Sequence, residues 1–162
     1  MSQLPLNIGL RDSPSFDNFY GEERREAVTI MRSVLAGAGT GHVIYLHGPG
    51  GAGKTHLLAA AVRHAHEEGR GFFAASLAEP GQARPELLEG LGESGLVCID
   101  DVDIGLGELA WEEALFDVYL RMEACSSPLL IASRVGPFAT KPALPDLASR
   151  LRGAIAIRLS PL

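Results

Sequence analysis

The chain has 162 residues, of which 46% are hydrophobic and 21% are charged, a composition typical of one soluble globular domain. Its 20 acidic and 14 basic residues give a net charge of −6, which argues against direct, strong DNA binding through phosphate neutralisation. The first residues lack the basic start and apolar run of a secretion signal, and no apolar run reaches the roughly 20 residues needed to cross a membrane. The two cysteines do not form a Cys-x-x-Cys motif. We therefore expect a cytoplasmic protein with no membrane partner.

Hydrophobic periodicity divides the chain into an N-terminal arm and a run of alternating helices and strands. Residues 1–20 show little periodicity, so we expect an extended arm there and one folded domain over residues 21–162. The predicted helices cover residues 22–35, 54–68, 84–91, 109–122 and 145–151. The predicted strands cover residues 43–47, 71–77, 96–99, 129–132 and 154–159. This alternation predicts an α/β protein with a five-stranded parallel sheet between two helical layers, a three-layer α/β/α arrangement.

The helix predicted over residues 109–122 contains the single tryptophan of the chain. Its spacing of apolar residues gives as core candidates Leu109, Leu115, Phe116, Tyr119 and Leu120. Trp111 could join this core or anchor a partner, and we expect core burial. Cys98 lies within an apolar strand pattern and is expected to be a small buried thiol.

A glycine-rich turn follows the first predicted strand and precedes the helix predicted from residue 54. It reads Gly48-Pro49-Gly50-Gly51-Ala52-Gly53-Lys54-Thr55, a complete G-x-x-x-x-G-K-T phosphate loop. In such a loop, successive backbone N–H groups surround the phosphates of ATP or ADP, and the start of the helix adds its positive dipole end. We therefore expect residues 48–53 to bind phosphate, Lys54 to reach the β- and γ-phosphates, and the Thr55 hydroxyl to bind Mg²⁺.

A second motif ends the third predicted strand, where the apolar run of residues 96–99 is followed by Asp100 and Asp101. An apolar strand ending in two acids is a Walker B pattern. We expect Asp100 to orient the Mg²⁺ shell and Asp101 to position or polarise the attacking water, because phosphoryl transfer depends mainly on positioning and charge stabilisation. Alone, the two acids fit a solvated turn equally well, and Lys54 upstream favours the metal site. Asp103 is either an accessory group or a loop residue, and we favour the loop residue.

Together these motifs resemble the AAA+ base of P-loop NTPases, specifically the DnaA/Hda group of bacterial replication proteins. The segment Phe16-Asp17-Asn18-Phe19 resembles the one that lines the adenine pocket in that group, which implies that Phe19 contacts the nucleotide. The phosphate loop and residues 98–101 match the corresponding motifs of the group. Residues 144–151, which read LPDLASRL, resemble its box VII segment, which implies that Arg150 is an arginine finger.

Within that group the resemblance favours the Hda branch, because the N-terminal interaction domain and C-terminal DNA-binding domain of DnaA have no counterpart in this sequence. The start of the chain resembles the clamp-binding peptide of that branch, which implies that Gln3, Leu4 and Leu6 contact the DNA polymerase III sliding clamp. The resemblance therefore implies a replication regulator that binds the DNA-loaded clamp and contacts DNA only indirectly. It would promote hydrolysis of DnaA-bound ATP through Arg150. Whether it assembles with further copies of itself stays open.

The sequence departs from the pattern of the group at two places. After the fourth predicted strand, Ser133 or Arg134 occupies the place of a polar sensor residue. The sequence ends at Leu162 without the helical lid of the group, so we expect nucleotide to be held more openly and less tightly. The complete nucleotide motifs also fit an autonomous AAA+ ATPase of helicase-loader type, which would use Lys54 and Asp101 for its own turnover. A third alternative is a clamp-associated P-loop protein that does not contact DnaA.

Overall fold

The computed structural model describes residues 14–17, 21–37, 42–79, 84–89 and 94–161. Its strands are β1 Val43–His47, β2 Phe73–Ser76, β3 Val97–Asp100, β4 Leu129–Ser133 and β5 Ile155–Arg158. Its α-helices are α1 Glu22–Leu35, α2 Lys54–Glu67, α3 Leu109–Cys125 and α4 Pro145–Arg152. Short 3₁₀ turns cover Pro85–Leu88 and Val102–Ile104. The predicted arm over residues 1–20 lies largely outside the described residues, as do Gln3, Leu4, Leu6 and Phe19.

The strands form a five-stranded parallel sheet in the order β2-β3-β4-β1-β5. β1 pairs with both β4 and β5, so that Ile44 lies beside Leu130 on one side and Ile155 on the other. Because every pairing is parallel, the carboxyl ends of the strands meet at one edge of the sheet. The glycine-rich loop after β1 and the acidic turn after β3 are therefore brought to the same edge. The predicted α/β fold with a five-stranded parallel sheet is confirmed.

The core lies on both faces of the sheet, because alternate residues of a strand point in opposite directions. Ile44 and Leu46 pack in one apolar cluster with α1 and α2, whereas Val43 and Tyr45 pack in another with α3 and α4. Cys98 is fully buried in the first cluster, as predicted. The sheet is thus covered by helices on both sides, which gives the expected three layers.

Two core candidates on α3 were wrong. Leu115 and Tyr119 are buried, and Trp111 is buried as expected, but Leu109 and Leu120 are 52% and 39% exposed. Leu120 follows Tyr119 directly, so the 100° step per residue turns its side chain away from the face that Leu115 and Tyr119 share. The helix predicted over residues 84–91 is a single 3₁₀ turn, Pro85–Leu88, in the part of that segment that the structure describes. Among the described residues, no helix has the length and apolarity required of a membrane span.

Candidate functional site

The glycine-rich loop, residues 48–53, joins the carboxyl end of β1 to the first residue of α2. Neighbouring strands hold its start, because the Gly48 N–H donates to the Ser133 carbonyl at 3.3 Å and the Leu159 N–H donates to the His47 carbonyl at 2.8 Å. A Cβ on Gly48 would lie 2.3 Å from the Leu159 carbonyl oxygen, so no side chain fits there. Gly53 has a φ of 97°, a left-handed conformation that glycine adopts without strain. The first and last glycines of the motif are therefore required by the shape of the loop.

The interior of this loop has the features of a phosphate site. Apart from each glycine and its chain neighbours, no heavy atom of the described residues lies within 4 Å of the position that a Cβ would take on Gly50 or Gly51, so this side of the backbone is open to a ligand. Lys54 is only 7% exposed, and its Nζ donates to the carbonyl oxygens of Gly48 and Pro49. A phosphate oxygen is a stronger acceptor for an ammonium group than a neutral carbonyl. Lys54 can therefore exchange these loop carbonyls for a bound phosphate.

The predicted metal residues are in direct contact. The Thr55 hydroxyl donates to Asp100 Oδ2 at 2.6 Å, and the Asp101 N–H donates to Asp100 Oδ1 at 2.9 Å. Asp100 is 3% exposed, and burial raises the pKa of its carboxyl group, while the Thr55 hydrogen bond acts in the opposite direction. A hydroxyl and a carboxylate are the oxygen ligands that Mg²⁺ prefers. The donor set thus fits Mg²⁺, and a cation beside Asp100 would favour its ionised form.

Asp101 lies beside this pair in an unusual backbone conformation. Its φ of 56° and ψ of 41° are left-handed, which Asp tolerates better than most residues. Its Oδ2 accepts a 2.9 Å hydrogen bond from the hydroxyl of Ser76, the last residue of β2. The carboxylate is thereby held at the edge of the sheet that carries the phosphate loop. Sequence reasoning did not include Ser76, although a polar residue ending the neighbouring strand could have indicated it.

The two candidates for the sensor position differ in what they contact. Ser133 is fully buried, and its Oγ accepts a 3.1 Å hydrogen bond from the Val135 N–H within the turn. The Arg134 side chain is 60% exposed, and its Nε lies 3.4 Å from Asp103 Oδ2. The Arg134 N–H also donates to Asp103 Oδ1 at 3.3 Å. Asp103 thus joins the turns after β3 and β4, a contact that the sequence did not indicate. Of the two candidates, Arg134 is the one whose charge reaches solvent.

Arg150 lies at the opposite edge of the sheet from the phosphate loop. Arg150 lines an open cavity of about 300 Å³. Two further lining residues, His42 and Val43, lie just before and at the start of β1, and two others, Ala154 and Ile155, lie just before and at the start of β5. The loop, in contrast, follows the end of β1. The five residues of β1, at about 3.3 Å each, separate the two edges by a distance on the order of 15 Å. Arg150 therefore does not contribute to the phosphate site of its own chain.

Contacts with α3 hold the Arg150 guanidinium at the surface. Its Nη1 donates to Glu123 Oε2 at 2.6 Å, and the group lies 5.8 Å from the centre of the Tyr119 ring. The Tyr119 hydroxyl in turn donates to the Arg150 carbonyl at 3.1 Å. The Arg150 side chain remains 39% exposed. Its charge is thus accessible to a second molecule. Such a contact would break the surface ion pair with Glu123, which contributes little free energy.

Sequence reasoning did not identify Glu112 as a residue that connects several segments of this region. It is fully buried, and its carboxylate accepts hydrogen bonds from the N–H groups of Gly107, Ala143 and Leu144 at 2.7, 2.9 and 2.8 Å. These bonds connect α3 to the turn after β3 and to the two residues that precede α4. Glu112 precedes the core residue Leu115 by three positions, so the two side chains lie on the same face of the helix. An acid on this apolar face was the feature of the sequence that could have indicated a buried, hydrogen-bonded Glu112.

No protein-family model matches the chain. AMPPCP-bound DnaA from Aquifex aeolicus is similar with a TM-score of 0.79 and 25% identity, over 90% of this chain and 50% of that one. The DnaC helicase loader is similar with a TM-score of 0.61 and 15% identity, over 90% and 96% of the two chains. Protein NMB1076 from Neisseria meningitidis is similar with a TM-score of 0.55 and 28% identity, over 96% and 97%. The chain spans about half the length of the two AMPPCP-bound DnaA structures that it matches.

The chain has the AAA+ P-loop fold. Structures of DnaA, DnaI and DnaC are among its structural neighbours and share this fold. They do not single out the Hda branch that the sequence resembled. Residues 159–161, which the structure describes after β5, contain no helix.

Proposed function

We propose that the chain binds ADP or ATP, with Mg²⁺, in the loop formed by residues 48–53. Lys54 would contact the phosphates, and Thr55 and Asp100 would hold the Mg²⁺ ion, directly or through its water molecules. The open backbone at Gly50 and Gly51 and the hydroxyl–carboxylate pair support this assignment. The similarity to a DnaA structure that contains AMPPCP supports it independently. Phe19 is the proposed contact of the adenine ring.

We propose further that the chain regulates replication initiation by promoting the hydrolysis of ATP bound to DnaA. The observation that carries this proposal is the position of Arg150, half-exposed at the sheet edge opposite its own phosphate loop. A guanidinium there can approach only a nucleotide held by another molecule. An arginine supplied in this way stabilises transition-state charge and can raise the rate about 10³–10⁵-fold. Asp101 and Mg²⁺ would serve the nucleotide of the chain itself.

The proposed link to DNA is the sliding clamp, through Gln3, Leu4 and Leu6. These residues lie outside the described part of the chain, so the support is their sequence alone. The net charge of −6 favours an indirect route to DNA over direct binding. A pull-down of purified clamp with the intact chain and with a Gln3→Ala, Leu4→Ala variant tests this step. Equal capture by both proteins would remove the clamp from the proposal.

The arginine-finger proposal is tested by Arg150→Ala, with Arg152→Ala as the matched control. Arg152 lies on the same helix and is exposed, and its guanidinium lies 5.8 Å from the centre of the Phe138 ring. Both variants remove one positive charge. We expect Arg150→Ala to reduce clamp-dependent stimulation of DnaA ATP hydrolysis by about 10³-fold and Arg152→Ala to leave it nearly unchanged. Full stimulation by a folded Arg150→Ala protein would refute the proposal.

An autonomous ATPase of helicase-loader type is the second candidate. The similarity to the DnaC helicase loader over 96% of that chain favours it. In this case Lys54 and Asp101 would support turnover without clamp or DnaA. Asp101→Asn is a suitable test, because Asn also tolerates the left-handed backbone at this position. Robust ATP hydrolysis by the isolated protein, reduced by about 10² or more in Asp101→Asn, would favour this candidate. Absence of such turnover would favour the regulator.

A further inference from the structure

Arg24 on α1 is a buried cation that contacts the phosphate loop from outside. It is 9% exposed, although most arginines of globular proteins lie at the surface. Its Nη2 donates to the Ala52 carbonyl at 3.2 Å and to the Ser160 carbonyl at 3.0 Å. One guanidinium therefore connects α1, the phosphate loop and the residues that follow β5. None of the sequence motifs of the nucleotide site includes Arg24.

The contact with the Ala52 carbonyl constrains the loop at the residue before its last glycine. The Ala52 carbonyl and the Gly53 N–H belong to one peptide unit, which is planar and trans, so they point in opposite directions. When Arg24 holds the carbonyl on the α1 side, the Gly53 N–H is aimed away from α1. Gly53 is also the N-cap of α2, where backbone N–H groups have no partner within the helix and are available to an anion.

We infer that Arg24 is a positioning residue for phosphate binding, which fixes the direction of the Gly53 N–H and so shapes the anion cradle. This inference rests on the proposed nucleotide site. It assigns to Arg24 a task that Lys54 does not perform. Lys54 holds the carbonyls of Gly48 and Pro49 in the structure, and it must leave them to contact a phosphate. Arg24 approaches the loop from α1, so its bond to Ala52 persists while Lys54 exchanges partners.

The bond from Arg24 to the Ser160 carbonyl extends this task to the end of β5. Leu159, the preceding residue, donates to His47, and its carbonyl oxygen occupies the space that a side chain on Gly48 would need. Arg24 thus holds the last part of the phosphate loop through Ala52, and Leu159 holds the start of the same loop beside Gly48. Movement of the chain after β5 would be transmitted through Arg24 to the Ala52–Gly53 peptide.

The test compares binding of ADP with Mg²⁺ to the intact chain and to three variants. Arg24→Met keeps the length of the side chain but removes its charge and donors, and Arg24→Lys keeps a charged donor. Arg25→Met is the matched control, because Arg25 is the exposed neighbour on the same helix. We expect Arg24→Met to weaken ADP binding about tenfold, the size expected when the hydrogen bond from the misdirected Gly53 N–H to the charged phosphate is lost. Arg24→Lys should be intermediate, and Arg25→Met should bind ADP like the unaltered chain.

A second readout separates positioning from a purely structural role. We expect the change in the Gly53 amide proton resonance on addition of ADP to be smaller in Arg24→Met than in the unaltered chain. A lower melting temperature with unchanged ADP affinity and an unchanged Gly53 response overturns the inference. If Arg24→Met does not fold, the ADP affinity of Arg24→Lys decides the question. An ADP affinity equal to that of the unaltered chain would again overturn the inference. If the unaltered chain binds no ADP, the proposed nucleotide site falls, and the inference falls with it.

Discussion

The Thr55 hydroxyl and the Asp100 carboxylate are joined by a 2.6 Å hydrogen bond, although the two residues are 45 positions apart in the chain. The bond forms because α2 and β3 both reach the same sheet edge, one at its amino end and the other at its carboxyl end. It presents two oxygen ligands of the type that Mg²⁺ prefers beside a loop suited to phosphate. Binding of the metal and of the phosphates should therefore depend on each other.

Replacement of Thr55 tests this dependence. We expect Thr55→Ala to weaken nucleotide binding about tenfold or more in the presence of Mg²⁺, because the metal loses an oxygen ligand and Asp100 loses a charged hydrogen bond. The loss should be smaller in EDTA. Thr55→Ser keeps the hydroxyl and serves as the control. Calorimetric titration with and without Mg²⁺ measures the effect, and an equal loss in both conditions would contradict the assignment.

Gly48 and Gly50 form a matched pair for the geometry of the loop. Gly48→Ala places a Cβ 2.3 Å from the backbone oxygen of Leu159, so strand β5 or the loop must shift. We expect the free energy of unfolding to fall by about 1–3 kcal/mol. The Cβ of Gly50→Ala lies more than 4 Å from every described residue beyond its chain neighbours, so this substitution should change stability by less than about 1 kcal/mol. Urea denaturation of both variants checks this, and equal stabilities would show that the loop tolerates the crowding.

Glu112 is predicted to be a major contributor to stability. Glu112→Ala removes the carboxylate that accepts from the N–H groups of Gly107, Ala143 and Leu144, and a hydrogen bond to a charged group contributes about 1.5–3 kcal/mol. We expect the free energy of unfolding to fall by at least about 3 kcal/mol. Glu113→Ala, at the exposed neighbouring position, should change it by less than about 0.5 kcal/mol. A Glu112→Ala protein as stable as the control would refute the role given to these bonds.

His47 should make stability depend on pH. Burial lowers the pKa of its imidazole, and the charges of Arg158 on β5 and Lys54 on α2 lower it further. The folded state therefore binds a proton less readily than the unfolded state, whose ordinary pKa is 6.5. The resulting contribution to stability is present above that pKa and is lost as the pH falls through the folded value. We expect the unaltered chain to lose more stability between pH 7.5 and pH 5 than His47→Gln does, as measured by urea denaturation. Equal losses would contradict this.

The fold was largely predictable because its local patterns agree with its tertiary structure. The bounds of α1 and β1 follow from helical spacing up to Leu35 and from the apolar run Val43–Leu46. Prediction was wrong where packing partners decide the outcome. Leu109 and Leu120 are apolar residues of a true helix, but both are exposed in the part of the chain that the structure describes. Apolar character alone indicates that a side chain can be buried and does not indicate on which side the neighbouring layer will lie.

The site was predictable where its residues are close in sequence. The phosphate loop and the pair Asp100 and Asp101 are contiguous motifs, and a parallel sheet brings them to one edge. The supporting contacts are long-range. Arg24 reaches Ala52 across 28 positions, and Arg150 reaches Glu123 across 27. Such pairs depend on how helices pack on the sheet, which no local pattern specifies.

Strand β1 separates the phosphate loop from Arg150. The phosphate loop begins immediately after His47, and the Arg150 guanidinium, which is paired with Glu123, lies near the residue before Val43. A substitution at one end of β1 therefore leaves the groups at the other end in place. If both proposed roles hold, a substitution that damages the phosphate loop should leave the proposed contact of Arg150 with another protein intact.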